Sequence, residues 1–175
     1  MRTGARSGDV GPSSPRATLS EYAPPWQEPL VRMWRESFEF GVGTTDPHPL
    51  AEQVAYFESE VLPKNRVRLA LDAGQLVGFV AASRESVSQL HVRVGFHRRG
   101  IGSQLLNWAK GQSSGSLWLY TFERNTVAQA FYEHHGFVVV TRGFEPTWQL
   151  EDIKYHWSGP SKNAVSPCAR TNLPA

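Results

Sequence analysis

Between Leu90 and Ser103 the chain reads Leu-His-Val-Arg-Val-Gly-Phe-His-Arg-Arg-Gly-Ile-Gly-Ser, and here residue types and spacing suit a chemical task. Gly100 and Gly102 carry no Cβ, so a ligand can come close to the backbone, and the first free N–H groups of a helix starting there point at whatever lies in front of it. Those donors and the positive end of the helix dipole favour an anion, and a diphosphate would suit them. Arg98 and Arg99 add positive charge immediately before the first glycine. Two better-known glycine loops do not fit. The nucleoside-triphosphate loop ends in Gly-Lys-Ser/Thr, a run this chain lacks, and the dinucleotide fingerprint needs a glycine three residues after Gly102, where Leu105 stands.

A second block runs from Asn125 to Phe137 as Asn-Thr-Val-Ala-Gln-Ala-Phe-Tyr-Glu-His-His-Gly-Phe. It has an asparagine, an alanine three residues on, a Phe-Tyr pair and a closing Gly-Phe. With the first block, in this order, it resembles the GNAT superfamily of N-acetyltransferases over roughly Pro25 to Trp157. His97-Arg98-Arg99-Gly100-Ile101-Gly102 stands where that family has its acyl-coenzyme A loop, Q/R-x-x-G-x-G/A. His97 replaces the usual Gln or Arg, so a side-chain contact to phosphate is altered while the backbone donors remain. Val94 and Gly95 replace a frequent proline followed by an acidic or polar residue.

The resemblance implies a function and a set of roles. Acetyl-coenzyme A would be the co-substrate, held by Leu90, His91, Val92, His97, Arg98, Arg99, Gly100, Ile101, Gly102, Ser103, Asn125, Ala128 and Phe131. Asn125 would touch the pantetheine arm or an ordered water, and it also suits a helix cap. Backbone N–H groups near His91 and Val92 would stabilise the oxyanion formed by attack on the thioester. Tyr132 matches the family's general acid, which protonates the leaving thiolate; without the flanking motif it would read as a core aromatic. The activity implied is transfer of an acetyl group to a primary amine, of a small molecule, by direct attack in a ternary complex. Two alternatives are a protein N-terminal or lysine acetyltransferase and a non-catalytic acyl-coenzyme A binding module. Tyr132 argues against the last, because binding alone needs no proton donor.

An amine attacks only when neutral, so a substrate ammonium with a pKa near ~10 must lose a proton first. Candidates for that base are Glu36, Glu123 and His91, whose imidazole has the most suitable ordinary pKa; a chain of waters could replace all three. The acceptor cleft is expected between the loop from Gly41 to Pro49 and the segment from Thr141 to Trp148. The six histidines show no metal-ligand spacing such as His-Glu-x-x-His and read as scattered surface residues, so no metal is expected.

The elements that must position these residues follow from periodicity. Met1 to Pro25, rich in Gly, Ser, Pro and Arg, has no pattern and is expected to be disordered. From Trp26, Leu30, Met33, Trp34 and Phe38 form one helical stripe, closed at Gly41. Leu50, Val54, Phe57 and Val61 predict a second helix ended by Pro63. The period then becomes two, with a hairpin from Val67 to Leu71 and Gln75 to Ser83 around Asp72-Ala-Gly74. A strand over Leu90 to Val94 follows, then a helix on Ile101, Leu105 and Ala109. A flexible loop from Gly111 to Ser116 leads to a buried strand over Leu117 to Phe122. Asn125 opens a helix that Gly136 ends, and two strands, Phe137 to Thr141 and Asp152 to Trp157, complete an α/β layout. This is also the GNAT order, a mixed, mostly antiparallel sheet flanked by helices, whose strands at Leu90 to Val94 and Leu117 to Phe122 splay apart around the cofactor. One domain over residues 26–157 is expected, with a flexible tail at 158–175.

Composition bounds the partners. A net charge of +2 on 175 residues is small, and nucleic-acid binding is not expected. The single cysteine, Cys168, excludes a disulfide framework and suits a reducing cytoplasm. No membrane association is expected, since no run approaches the roughly 18 apolar residues of a span and no secretory signal is visible. A homodimer is compatible with the resemblance.

Overall fold

The computed structural model describes residues 17–159. The expectations for residues 1–16 and 160–175 lie outside these.

The chain starts with an unexpected strand. β1 (Thr18–Glu21) pairs antiparallel with β2 (Arg66–Asp72), Thr18 opposite Leu71. The stretch expected to be loose up to Pro25 is thus ordered at its end: Ala17 is buried, Leu19 packs on the core and the Tyr22 ring meets Phe57 edge-on at 5.6 Å. Four residues at a sheet edge carry too little alternation to be read from sequence.

After a 3-10 turn, α1 (Gln27–Val42) buries Leu30, Val31, Met33 and Trp34. It ends not at Gly41 but at Gly43, whose φ of 70° is the left-handed conformation of a helix stop. α2 (Leu50–Tyr56) continues through a wide π-type turn, Phe57–Val61, and a 3-10 turn, Leu62–Lys64, that contains Pro63.

The hairpin is as expected. β2 and β3 (Gln75–Ala82) pair, with a bulge that leaves Val77 opposite no residue. β3 is buried on both faces, so its apolar residues divide between two cores. Leu76, Phe79 and Ala81 meet α1 and the turn after α2, while Val77, Val80 and Ala82 face α3 (Ile101–Gln112). β4 (Val87–Val92) runs antiparallel to β3 and begins earlier and ends earlier than expected; Val94 is an exposed loop residue, ahead of the positive-φ Gly95. α3 takes in Gly111 and Gln112, which were expected in the loop.

A second sheet has the order β5-β7-β6, built from β5 (Ser116–Phe122), β6 (Val138–Glu145) and β7 (Leu150–Ser158), with α4 (Thr126–His134) between β5 and β6. Both final strands are longer than expected. β5 is not buried on both faces: Leu117 and Leu119 point inward, while Trp118 and Tyr120 are exposed. All ladders are antiparallel, and β4 and β5 lie at the facing edges of the two sheets. Among the described residues no helix is long and apolar enough to cross a membrane.

Candidate active site

β4 and β5 run parallel and are joined at one end. Trp118 N–H donates to Glu85 O at 3.0 Å and Ser86 bridges Trp118. Beyond that point β4 pairs only with β3, and β5 only with β7, so a gap opens between the sheets. Arg93 N–H donates to Val77 O at 2.9 Å. Alternate residues of an antiparallel strand turn their N–H groups the same way, so those of Leu90 and Val92 face the gap. A cavity of about 1850 Å³ occupies it.

The glycine loop forms one wall. Gly95, Arg98 and Gly100 all have positive φ (87°, 61° and 78°), which folds the loop tightly before α3. Gly100 is the N-cap of α3 and offers no side-chain cap. Gln104 N–H donates to Gly100 O at 3.0 Å, so helix geometry leaves the amides of Ile101, Gly102 and Ser103 without an acceptor in the helix. A phosphate ester fits this set of donors. His97, Arg98, Gly100, Ile101, Gly102 and Ser103 line the cavity. Arg99 does not; its guanidinium lies 4.6 Å from the Phe96 ring centre and donates to Gly95 O. His97 is stacked on Phe40 of α1 at 5.7 Å.

α4 forms the opposite wall through Asn125, Ala128, Phe131 and Tyr132. Asn125 is the N-cap: its Oδ1 accepts from Ala128 N–H at 3.1 Å. Its Nδ2 lies where a Cβ on Gly41 would be 2.8 Å away. Gly41, misread as a helix stop, therefore lets α1 and α4 approach. Gly102 does the same for α3, since a Cβ there would stand 3.2 Å from the Phe131 ring. Tyr132 is buried among Phe131, Phe137 and Tyr155. Burial alone raises its phenol well above the ordinary value, because a phenolate would be poorly solvated there. Its hydroxyl bonds to no described residue.

Four of the six histidines, His48, His91, His97 and His134, line this cavity, and of these His97 and His134 are exposed as expected. His91 points to the α1 side, opposite Leu90 and Val92, where its ring stacks on Phe79 at 5.7 Å. Nε2 pairs with Gln89 Oε1 at 3.0 Å and Nδ1 lies 3.4 Å from Ser37 Oγ. Burial lowers its pKa to about 3. Glu36 and Glu123 are not among the lining residues; Glu36 is exposed, and Glu123 is paired with Arg142.

Residues that sequence reading passed over complete the far end. Phe38, Phe122 and Trp148 meet there, Phe38 to Trp148 at 4.7 Å and Phe38 to Phe122 at 5.9 Å. The loop after α1 brings His48 edge-on to Trp148 at 5.4 Å, over the buried Asp46. Glu145 accepts from Trp148 N–H at 2.7 Å. Both segments expected to shape the acceptor cleft are thus in this wall, with Asp46, His48, Glu145, Thr147 and Trp148 lining it. The run Asp46-Pro47-His48 was the available signal, because an aspartate two residues before a histidine favours a side-chain to backbone turn.

Residues 63–139 match the family model described as Acetyltransferase (GNAT) domain. Among solved structures, a GCN5-related N-acetyltransferase from Rhodopseudomonas palustris is 16% identical, with a TM-score of 0.67 over 82% of this chain and 96% of its own. YjaB from Escherichia coli is 21% identical, with a TM-score of 0.67 over 82% of this chain and 98% of its own. The PaiA N-acetyltransferase from Thermoplasma acidophilum, solved in complex with coenzyme A, is 18% identical, with a TM-score of 0.64 over 81% and 98%. Over residues 63–139 the chain is thus similar to the GNAT acetyltransferase domain, and its splayed sheets around a glycine loop form the GNAT fold of these structures.

Proposed function

We propose that this protein transfers the acetyl group of acetyl-coenzyme A to the primary amine of a small molecule, by direct attack with both substrates bound. The observation that carries this reading is that one cavity joins the free amides of the α3 N-terminus to the Tyr132 hydroxyl and to an aromatic wall. The coenzyme A complex of the similar Thermoplasma protein supports the choice of cofactor.

In this reading acetyl-coenzyme A supplies an activated thioester. The amides of Ile101, Gly102 and Ser103, with Arg98 and His97 beside them, bind its diphosphate. Asn125, Ala128 and Phe131 guide the pantetheine arm along α4. The Leu90 and Val92 amides, turned into the gap, donate to the acetyl oxygen as negative charge grows on it. Tyr132 holds its proton throughout the physiological range, because burial disfavours the phenolate. It passes that proton to the sulfur as the C–S bond breaks and is reprotonated from solvent. The aromatic wall of Phe38, Phe122 and Trp148 gives a small acceptor an apolar seat. His91 is ill suited to be the base: with a pKa of about 3, taking a proton from an ammonium near ~10 would cost about 10 kcal/mol.

The test is a thiol-release screen of acetyl-coenzyme A against amines and lysine- or N-terminus-bearing peptides, repeated with Tyr132→Phe. Turnover of a small amine, lowered about 10²- to 10⁴-fold in the variant with acetyl-coenzyme A affinity retained, is the expected result. Turnover of peptides alone would move the assignment to a protein acetyltransferase. Loss of affinity alone would make Tyr132 a binding residue.

A further inference from the structure

The loop between α1 and α2 holds one charged group that the roles above do not use. Asp46 is buried, its side chain 5% exposed, and its Oδ1 accepts from both His48 N–H and His48 Nδ1 at 2.9 Å. Arg35 of α1 approaches Oδ2 at 3.8 Å, donates to His48 O at 2.6 Å and reaches Gln53 of α2. Glu39 of α1 accepts from Asp46 N–H at 2.9 Å, and Glu145 in the same wall is held by Trp148 N–H. The carboxylate thus has its position fixed from α1, whose Arg35 is in turn held by Gln53 of α2. A carboxylate only accepts, so the bond at 2.9 Å requires the proton on Nδ1 and leaves Nε2 with a free lone pair. The His48 side chain is 41% exposed, against Trp148 on the cavity wall.

Resting on the acetyl-transfer reading, we infer that His48 is the general base for the acceptor amine and that Asp46 is its positioning residue. Nε2 takes one proton from the attacking nitrogen as the C–N bond forms. Tyr132 gives one proton to sulfur at the other end of the reaction, so the two transfers balance through solvent. Asp46 fixes the tautomer and steadies the imidazolium that forms, the role a buried carboxylate plays behind a catalytic histidine. Of the candidates read from sequence, His91 is half-buried against Phe79, and Glu36 and Glu123 lie off the cavity. Glu52, Glu145, Asp152, His97 and His134 also line it, but among the described residues neither of these two histidines is held by a carboxylate as His48 is.

Three measurements on the full chain test this. Long-range proton–nitrogen correlation spectra should show His48 protonated on Nδ1, and Asp46→Asn should shift that tautomer balance; a wild-type His48 protonated on Nε2 overturns the inference whatever an amine screen returns. His48→Asn places an amide N–H where Nδ1 was, keeping the bond to Asp46 while removing the base. Its kcat/KM for the best amine of the screen should fall about 10²- to 10⁴-fold, with the acid limb of the pH profile lost and acetyl-coenzyme A affinity unchanged. Added imidazole should restore turnover to His48→Ala. An unchanged kcat/KM and pH profile in His48→Asn overturns the base assignment alone, whereas failure of the wild-type protein to bind acetyl-coenzyme A removes the reading beneath it.

Discussion

Gly41 makes room for Asn125: a Cβ on residue 41 would stand 2.8 Å from the Asn125 side-chain nitrogen, whose partner oxygen caps α4 through Ala128 N–H. Two helices far apart in sequence meet over one missing methyl group. Gly41→Ala gains roughly 1 kcal/mol of helix propensity in α1 and loses a similar amount by displacing a cap. Thermal melting should therefore change by no more than about 3 °C. Because Asn125 also lines the cavity, acetyl-coenzyme A affinity should fall by about tenfold, or about 1.4 kcal/mol. Calorimetry and a melting curve on one preparation check both expectations, and unchanged affinity would show that Asn125 acts only as a cap.

His91 makes stability depend on acid. Its folded pKa, about 3, lies below the ordinary imidazole value of 6.5. The unfolded chain therefore binds the extra proton first, and the stabilisation is complete above pH 6.5 and lost as pH falls towards 3. Within that window one such group gives a slope of about 1.4 kcal/mol per pH unit. Urea unfolding of wild type and His91→Leu between pH 7 and 4 should show the variant's curve flatter by about that slope. Parallel curves would mean that His91 is protonated as easily in the folded chain.

β1 is an edge strand with real contacts. A chain starting at Trp26 loses the pairing with β2 and the packing of Ala17, Leu19 and Tyr22. Compared with one starting at Ala17, it should melt about 5–10 °C lower, since these contacts amount to about 2–3 kcal/mol. It should also aggregate more readily, because the β2 edge is uncovered. Equal melting temperatures would show that β1 adds nothing.

The parts legible in the sequence were those specified by local chemistry. The stripe from Leu30 to Phe38, the Asp72-Ala73-Gly74 turn and the Asn125 cap each declare themselves within a few residues, and the structure has all three. What escaped depends on distant partners. Gly41 and Gly43 look alike in sequence, and only Gly43 takes a positive φ, while Gly41 answers to Asn125. β1 exists because β2 offers an edge to it. The cavity wall shows the same division. The glycine loop and α4 carry a contiguous pattern, whereas Asp46, His48 and Trp148 come from two irregular segments that touch only in three dimensions. Arg99 sits in the motif yet turns away onto Phe96, a choice of rotamer that no spacing records.

The central claim is that the gap between β4 and β5 binds acetyl-coenzyme A through the amides at the start of α3. Titration calorimetry of acetyl-coenzyme A into the full chain, with Gly100→Ala and Gly102→Ala alongside, addresses it most directly. A side chain at Gly100 meets open space but strains a backbone held at φ 78°, costing about 1–2 kcal/mol and turning the loop amides. One at Gly102 presses on Phe131. The account predicts saturable binding at a single site in the wild-type protein and weaker binding in both variants, each still folded. No measurable affinity in a folded wild-type preparation, or wild-type affinity in both variants, would contradict it.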